Sequence, residues 1–248
     1  ILIDNITDMK YIQSVVLFFL FFVSSATMAQ EKVVINDPNA QVRNVGSFSE
    51  ISVSSSIDLY LSNDDKETVV VSAKDPMMRD KIITRINGNR LEIFFEYKGR
   101  VNWTDMRLKA YVSFKTLNKI RASGSSDVYV NGVIREEKQE IGLSGSSDFN
   151  GAVDVKFLRL DQSGSSDVKI SGRAENAEID LSGASDVKGF DLVVQQCKID
   201  LSGSSDVSIT CNGEMSVGAS GASDVRYKGS GVIREVRTSG SSSVKRVD

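Results

Sequence analysis

Through the second half of the chain, apolar and polar residues alternate in short runs that break repeatedly at one kind of place. Ile141-Gly142-Leu143, Leu158-Arg159-Leu160, Ile179-Asp180-Leu181, Ile199-Asp200-Leu201 and Val217-Gly218-Ala219 are runs before the break. Val128-Tyr129-Val130, Val168-Lys169-Ile170 and Val207-Ser208-Ile209 are runs after it. A period of two marks a strand with one buried face and one wet face. The break itself is Ser-Gly-Ser/Ala-Ser-Asp, whose glycine can take a positive φ and whose hydroxyls bond locally, as a sharp corner requires.

The corner opens at Ser123, Ser144, Ser163, Ser182, Ser202, Ser220 and Ser239, at spacings of 21, 19, 19, 20, 18 and 19 residues. Such self-similarity marks one supersecondary unit stacked on itself. A second glycine follows each of the first six corners, at Gly132, Gly151, Gly172, Gly189, Gly213 and Gly229. Two strands, two corners and a variable third side predict an all-β fold: a right-handed parallel β-helix with coils of 18–21 residues. Each coil would pair with the next at about 4.8 Å. The drifting period argues against a left-handed hexapeptide helix, and a meander would not repeat one corner at one phase. Pro38 and Pro76 both precede the repeats, where no internal ladder loses an N–H.

Before the repeats, strands are expected over 48–53, 57–61, 68–73, 91–95 and 107–114. Asp75-Pro76 predicts a short helical turn running from Met77 to Ile83. Ser54-Ser55-Ser56-Ile57-Asp58-Leu59 reads as a degenerate corner. Residues 30–122 are therefore expected to form larger, irregular coils that continue the core of 123–248, making 30–248 one domain. Upstream, Met9-Lys10, an apolar run from Val15 to Ala26 and Thr27-Met28-Ala29 have the pattern of a secretion signal within residues 1–29, with Gln30 as the mature start. The apolar run is too short to span a bilayer core of about 30 Å as a helix. Export to the periplasm or the cell surface follows as an expectation, with no integral membrane span after cleavage.

The N-terminal strand pair, the segment Asn87-Gly88-Asn89-Arg90-Leu91-Glu92-Ile93 and the Ser-Gly-Ser-Ser-Asp-Val array resemble the secreted bacterial head GIN domain family, over about residues 40–248. The resemblance implies β-helical repeats and an adhesin-like role in the cell envelope. It brings no catalytic residue to this chain.

Composition narrows the chemistry. The chain has no histidine, which excludes Ser-His-Asp and Cys-His machinery and histidine-based metal sites. A net charge of −3 gives no general pull toward nucleic acid. Cys197 and Cys211 fall at different phases of the repeat and read as two buried thiols, with pairing in an oxidising compartment as the alternative.

The repeat also stacks one carboxylate per coil: Asp127, Asp148, Asp167, Asp186, Asp206 and Asp224. Unit charges about 5 Å apart in water repel by roughly 0.8 kcal/mol per pair, so something must offset the ladder. Local Asx-turn bonds would do so, as would Lys169, Lys188 and Arg226, each two residues beyond its aspartate on the same strand face. These residues, with Ser126, Ser147, Ser166, Ser185, Ser205 and Ser223, make up the candidate ligand face. It could hold a row of Ca²⁺ ions on the six aspartates, or an extended glycan.

The function expected is a non-catalytic envelope binding module with no obligate cofactor, its partner a glycan or another envelope protein. A β-helical polysaccharide lyase or hydrolase is the first alternative, and a purely structural scaffold the second. A sixfold copied aspartate lacks the unlike environments that separate an acid from a base. Enzyme candidates are thus the unique residues Glu96, Arg100 and Asp105 around Trp103, although the stretch from Tyr97 to Asp105 reads first as a loop whose tryptophan packs on the core. The clusters 115–121 and 135–138 read as solvated charged faces, and Asn102-Trp103-Thr104 has glycosylation spacing of low specificity.

Overall fold

The computed structural model describes residues 37–99 and 105–248; the expected signal segment, Gln30, Arg100 and Asn102-Trp103-Thr104 lie outside the described residues. The repeat generates five long, bent strands: β9 (Val128–Leu143), β10 (Phe149–Gln162), β11 (Asp167–Leu181), β12 (Asp186–Leu201) and β13 (Asp206–Ala219), preceded in the chain by β1 to β8. Each runs from one Ser-Gly corner round the coil to the next, and each pairs in parallel with the strand one coil away, as in Asp167 with Asp186 and Leu181 with Leu201. Alternation puts Val168, Ile170, Ala174, Ala177, Ile179 and Leu181 inside, all buried. Three shorter strands close the series: β14 (Asp224–Lys228), β15 (Val232–Thr238) and β16 (Ser243–Arg246).

The corners stack as strictly as the strands. The Ser165 N–H donates to the Gly145 carbonyl and the Ala184 N–H to the Gly164 carbonyl, both at 2.8 Å. Gly183 sits at φ +86°, and a Cβ there would lie 2.4 Å from the Gly164 oxygen. Glycine is required at this position both by backbone conformation and by the closeness of the next corner. The second set of glycines behaves differently from the expectation. Strands pass through the first five of these positions, the pairing slips between Lys169 and Gly172 and between Gly189 and Val193, and only Gly132, Gly172 and Gly229 of the set take positive φ. In β9 to β13 the second corner lies within a continuous strand rather than in a turn between two, whereas Gly229 separates β14 from β15 as expected.

The N-terminal part comprises β1 (Gln41–Arg43), β2 (Glu50–Val53), β3 (Asp58–Asn63), β4 (Thr68–Ser72), α1 (Pro76–Arg79), β5 (Ile82–Asn87), β6 (Arg90–Phe95), β7 (Lys109–Phe114) and β8 (Lys119–Ala122). It is irregular, as expected, and its coils do not stack in chain order. On one face β3 lies between β7 and β9; on another β2 lies between β6 and β8. The degenerate corner joins β2 to β3, and it seats directly on the first true copy: the Ser123 N–H donates to the Val53 carbonyl at 3.1 Å, and the Ile57 N–H to Ser126 Oγ at 3.1 Å. Beyond the β6–β7 coil, which still pairs in parallel with β2 and β3, the pairing turns antiparallel, β5 on β6, β4 on β7 and β1 on β4.

The expected helical turn is shorter than the sequence reading. Asp75 caps it by accepting the Met77 N–H at 2.8 Å, but it ends at Arg79 and Ile82 already belongs to β5. The Asn87-Gly88 step, with Gly88 at φ +64°, makes a tight hairpin that draws β5 onto β6. One continuous apolar core runs from Phe48 to Val225. Among the described residues no helix is long and apolar enough to cross a membrane.

Candidate functional site

The aspartates do form a ladder. Register extends it to Asp58, with Lys109 at one end and Ser243 at the other. Its hydrogen bonding differs from the local Asx-turns expected. Three of the carboxylates accept a backbone N–H of the following coil: the Asp148 N–H donates to Asp127 Oδ1 at 3.3 Å, Asp167 to Asp148 at 3.1 Å, and Asp224 to Asp206 at 3.2 Å. The cations also cross coils. Lys188 pairs with Asp167 at 3.0 Å rather than with Asp186, and Arg226 lies between Asp206 and Asp224 at 3.8 and 3.6 Å. Where no cation stands beside the ladder, burial pushes the Asp127 carboxyl up from its ordinary value and the charge of Asp148 adds to the shift. Asp58 is raised by burial and by Asp127.

The six serines placed on this face are corrected. Ser126, Ser147, Ser166, Ser185, Ser205 and Ser223 are fully buried, because neighbouring residues on a strand point to opposite faces and the aspartate takes the outward one. Their hydroxyls hold the corner from inside, as where Ser223 Oγ donates to the Ser220 carbonyl at 3.0 Å and accepts the Ser205 N–H at 3.2 Å. Among the described residues no three acidic or cysteine side chains converge closely enough to hold a metal ion; the ladder spaces its carboxylates in a line.

A groove that sequence reasoning missed lies on the other side of the corner. It has a volume of about 900 Å³ and runs along the coil axis. One wall is the opening serine of every copy, from Ser123 to Ser239, and the other is the column two residues earlier. That column reads Arg121, Gly142, Asp161, Asp180, Asp200, Gly218 and Arg237 in successive coils. Ser182, Ser202 and Ser220 donate their hydroxyls to the carbonyls of Gln162, Leu181 and Leu201 at 3.3, 3.4 and 3.3 Å, so their oxygens remain acceptors. The carboxylates are balanced from beside the groove. Arg159 bonds Asp161 at 2.9 Å, Glu178 at 2.7 Å and Asp180 at 2.8 Å, and Lys198 bonds Asp200 at 2.9 Å. Glu140, held by Lys119 and Lys138, is pulled down to about 2. Aligning the copies two residues upstream of each Ser-Gly is the signal that would have found this column.

Arg100 and Trp103 lie outside the described residues. Glu96 is exposed, and Asp105 is exposed and bridged to Lys74. Cys197 and Cys211 are free and buried; burial raises both thiols. They lie opposite Met215 and Val194, not opposite each other.

No curated protein matches the chain. Among solved structures, one from Bacteroides fragilis NCTC 9343 named a "putative adhesin" superposes with a TM-score of 0.76 at 20% identity, covering 84% of this chain and 96% of that one. A "putative adhesin" from Parabacteroides merdae ATCC 43184 gives 0.69 at 17%, covering 84% and 95%. A "putative lipid binding protein" from Parabacteroides distasonis ATCC 8503 gives 0.66 at 18%, covering 86% and 98%. At these identities the likeness is one of fold. The family model described as "Putative auto-transporter adhesin, head GIN domain" matches residues 47–231, so the chain belongs to that family.

Proposed function

We propose that the chain is an exported, non-catalytic binding module of the cell envelope, and that it holds a linear, neutral glycan lengthwise in the serine-lined groove. The observation that supports this most is repetition: every coil offers the groove the same hydroxyl at the same phase, about 4.8 Å from the last. A polymer of similar sugar units presents hydroxyl donors at a comparable rise. An extended peptide advances about 3.3 Å per residue and soon falls out of phase with the coils. A lipid chain would cover the serine and aspartate oxygens without hydrogen-bonding them, which is costly. The charges along the groove cancel, which suits a neutral ligand. Export is supported by the signal-like segment and by the family's description. A non-catalytic role is supported by the clamping of Asp161, Asp180 and Asp200 by Arg159 and Lys198.

The test is a titration of the protein with neutral linear oligosaccharides, with and without millimolar Ca²⁺. Gly142→Leu should fill the groove and weaken binding at least tenfold, about 1.4 kcal/mol. It should leave folding intact, because a Cβ at Gly142 meets only Arg121 Cγ, at 3.6 Å, and Ile120 O, at 4.0 Å. Calcium should leave affinity unchanged. Equal binding by Gly142→Leu would remove the ligand from the groove, and cleavage of the sugars would make the protein an enzyme.

A further inference from the structure

The outward position two residues beyond the ladder aspartate forms a column of its own. In successive strands it carries Tyr111, Tyr60, Tyr129, Asn150, Lys169 and Lys188. The three rings stack, Tyr60 on Tyr111 at 5.1 Å between centroids with planes 20° apart, and Tyr60 on Tyr129 at 5.2 Å and 18°. The stack ends at Asn150, where the next side chain is too small to cover a ring. Tyr129 therefore has one face against Tyr60 and the other turned toward Asn150, and it is 37% exposed. Among the described residues no second ring and no cation lies over that face.

The polar groups around this open ring face are also unused. Among the described residues the Asn150 amide and the Lys169 ammonium make no hydrogen bond or ion pair, whereas Lys188, one coil on, pairs with Asp167 at 3.0 Å. Asp148 is exposed and uses Oδ1 for the Asp167 N–H. The phenol of Tyr129 is anchored on Asp127 Oδ2 at 3.3 Å, which fixes the ring in place. Burial and the Asp127 charge push this phenol up to about 12, so it stays protonated.

We infer that Tyr129, Asp148, Asn150 and Lys169 form a subsite for one pyranose ring of a neutral glycan, on a face separate from the serine groove. The apolar face of a pyranose covers the open side of Tyr129. Its rim hydroxyls find an amide that both donates and accepts, a carboxylate that accepts and an ammonium that donates. Lys169 offsets only one of the two carboxylates, Asp127 and Asp148, that flank the ring, so the subsite keeps a negative field that disfavours an anionic sugar. The ladder further along, with Lys188 and Arg226 occupied by aspartates, repeats none of this.

A ring stack also stabilises coil packing, so the experiment must separate the two roles. The intact protein is titrated with hexamers of β-1,4-linked glucose and of N-acetylglucosamine, following the ring protons of Tyr129 by NMR and the melting temperature of each variant. Asn150→Tyr extends the stack over the open face, and it should weaken binding at least tenfold while melting no lower than wild type. Tyr129→Ala should lose binding to the same degree, and Tyr60→Ala should lower the melting temperature more than the affinity. Wild-type affinity in Asn150→Tyr overturns the inference. Binding abolished by Gly142→Leu but indifferent to Asn150→Tyr also overturns it and leaves the groove reading standing. The reverse pattern supports the subsite and removes the groove reading, and failure of every hexamer to shift Tyr129 overturns the subsite outright.

Discussion

Ser223 has a hydroxyl inside an apolar core and is fully buried there. It is tolerated because it works twice, accepting the Ser205 N–H and donating to the Ser220 carbonyl. Ser223→Ala leaves a buried N–H without a partner, and should destabilise the protein by about 1–3 kcal/mol in denaturant titrations. Asp127 is the opposite case, an outward group under repulsion. A raised native pKa means that the folded state holds protons the unfolded chain has released. Stability is then fully present below the unfolded pKa and falls as pH rises through the native one. Asp127→Asn keeps an oxygen for the Asp148 N–H and removes the repulsion from Asp58 and Asp148. Its melting temperature at pH 7 should rise by about 2–4 °C, for at most about 1 kcal/mol in low salt. The gain should disappear as pH falls below about 4, and a gain independent of pH would mean that charge is not its source.

At the level of the element, the corner is the stringent part and the strand the permissive one. Gly183→Ala puts a methyl group 2.4 Å from the Gly164 oxygen at a residue with φ +86°. It should cost at least about 2 kcal/mol. Gly142→Ala, on a strand and with its nearest neighbour 3.6 Å away, should be close to neutral in the same assay. Equal effects would show that the corner glycines are not set by backbone approach. Much of this was legible beforehand, because a Ser-Gly step recurring at one phase names its own role. The second glycines were misleading for a physical reason: glycine in a strand marks a bulge as readily as a turn, and pairing with the neighbouring coil decides between them. The β5–β6 hairpin was legible in Asn87-Gly88 but was hidden by the proline-led helical turn just before it.

Across the whole solenoid, charge follows the stacking order rather than the chain order. Four residues before the first five Ser-Gly corners, and at the equivalent positions of β6 and β2, the stacked column reads Arg90, Glu50, Lys119, Glu140, Arg159, Glu178 and Lys198. Signs alternate at every step of this run, which the last two copies break with Ser216 and Glu235. In chain order Glu50 would precede Arg90 and Lys119, setting two cations side by side; threading the β2–β3 coil between β6–β7 and β8–β9 restores the alternation. Arg90 and Glu50 meet at 3.2 Å as a result. Such half-buried surface pairs add little each, but the alternation penalises a slip by one coil, which would juxtapose like charges from Arg90 to Lys198.

From its sequence alone this protein had a determined architecture, a coil period, the line of aspartates and the corner that carries them, because period-two burial and a recurring Ser-Gly step are local properties of the chain. Only the tertiary structure decided which side of the corner each group occupies. Alternation loses its phase at a turn, so Ser126 and Asp127 could be read onto one face when they stand on opposite ones. The groove between the opening serines and the Arg121-to-Arg237 column, the open ring of Tyr129 above Asn150 and the inserted β2–β3 coil all arise from contacts between coils about 20 residues or more apart in the chain. Those contacts come from stacking, which no single coil encodes.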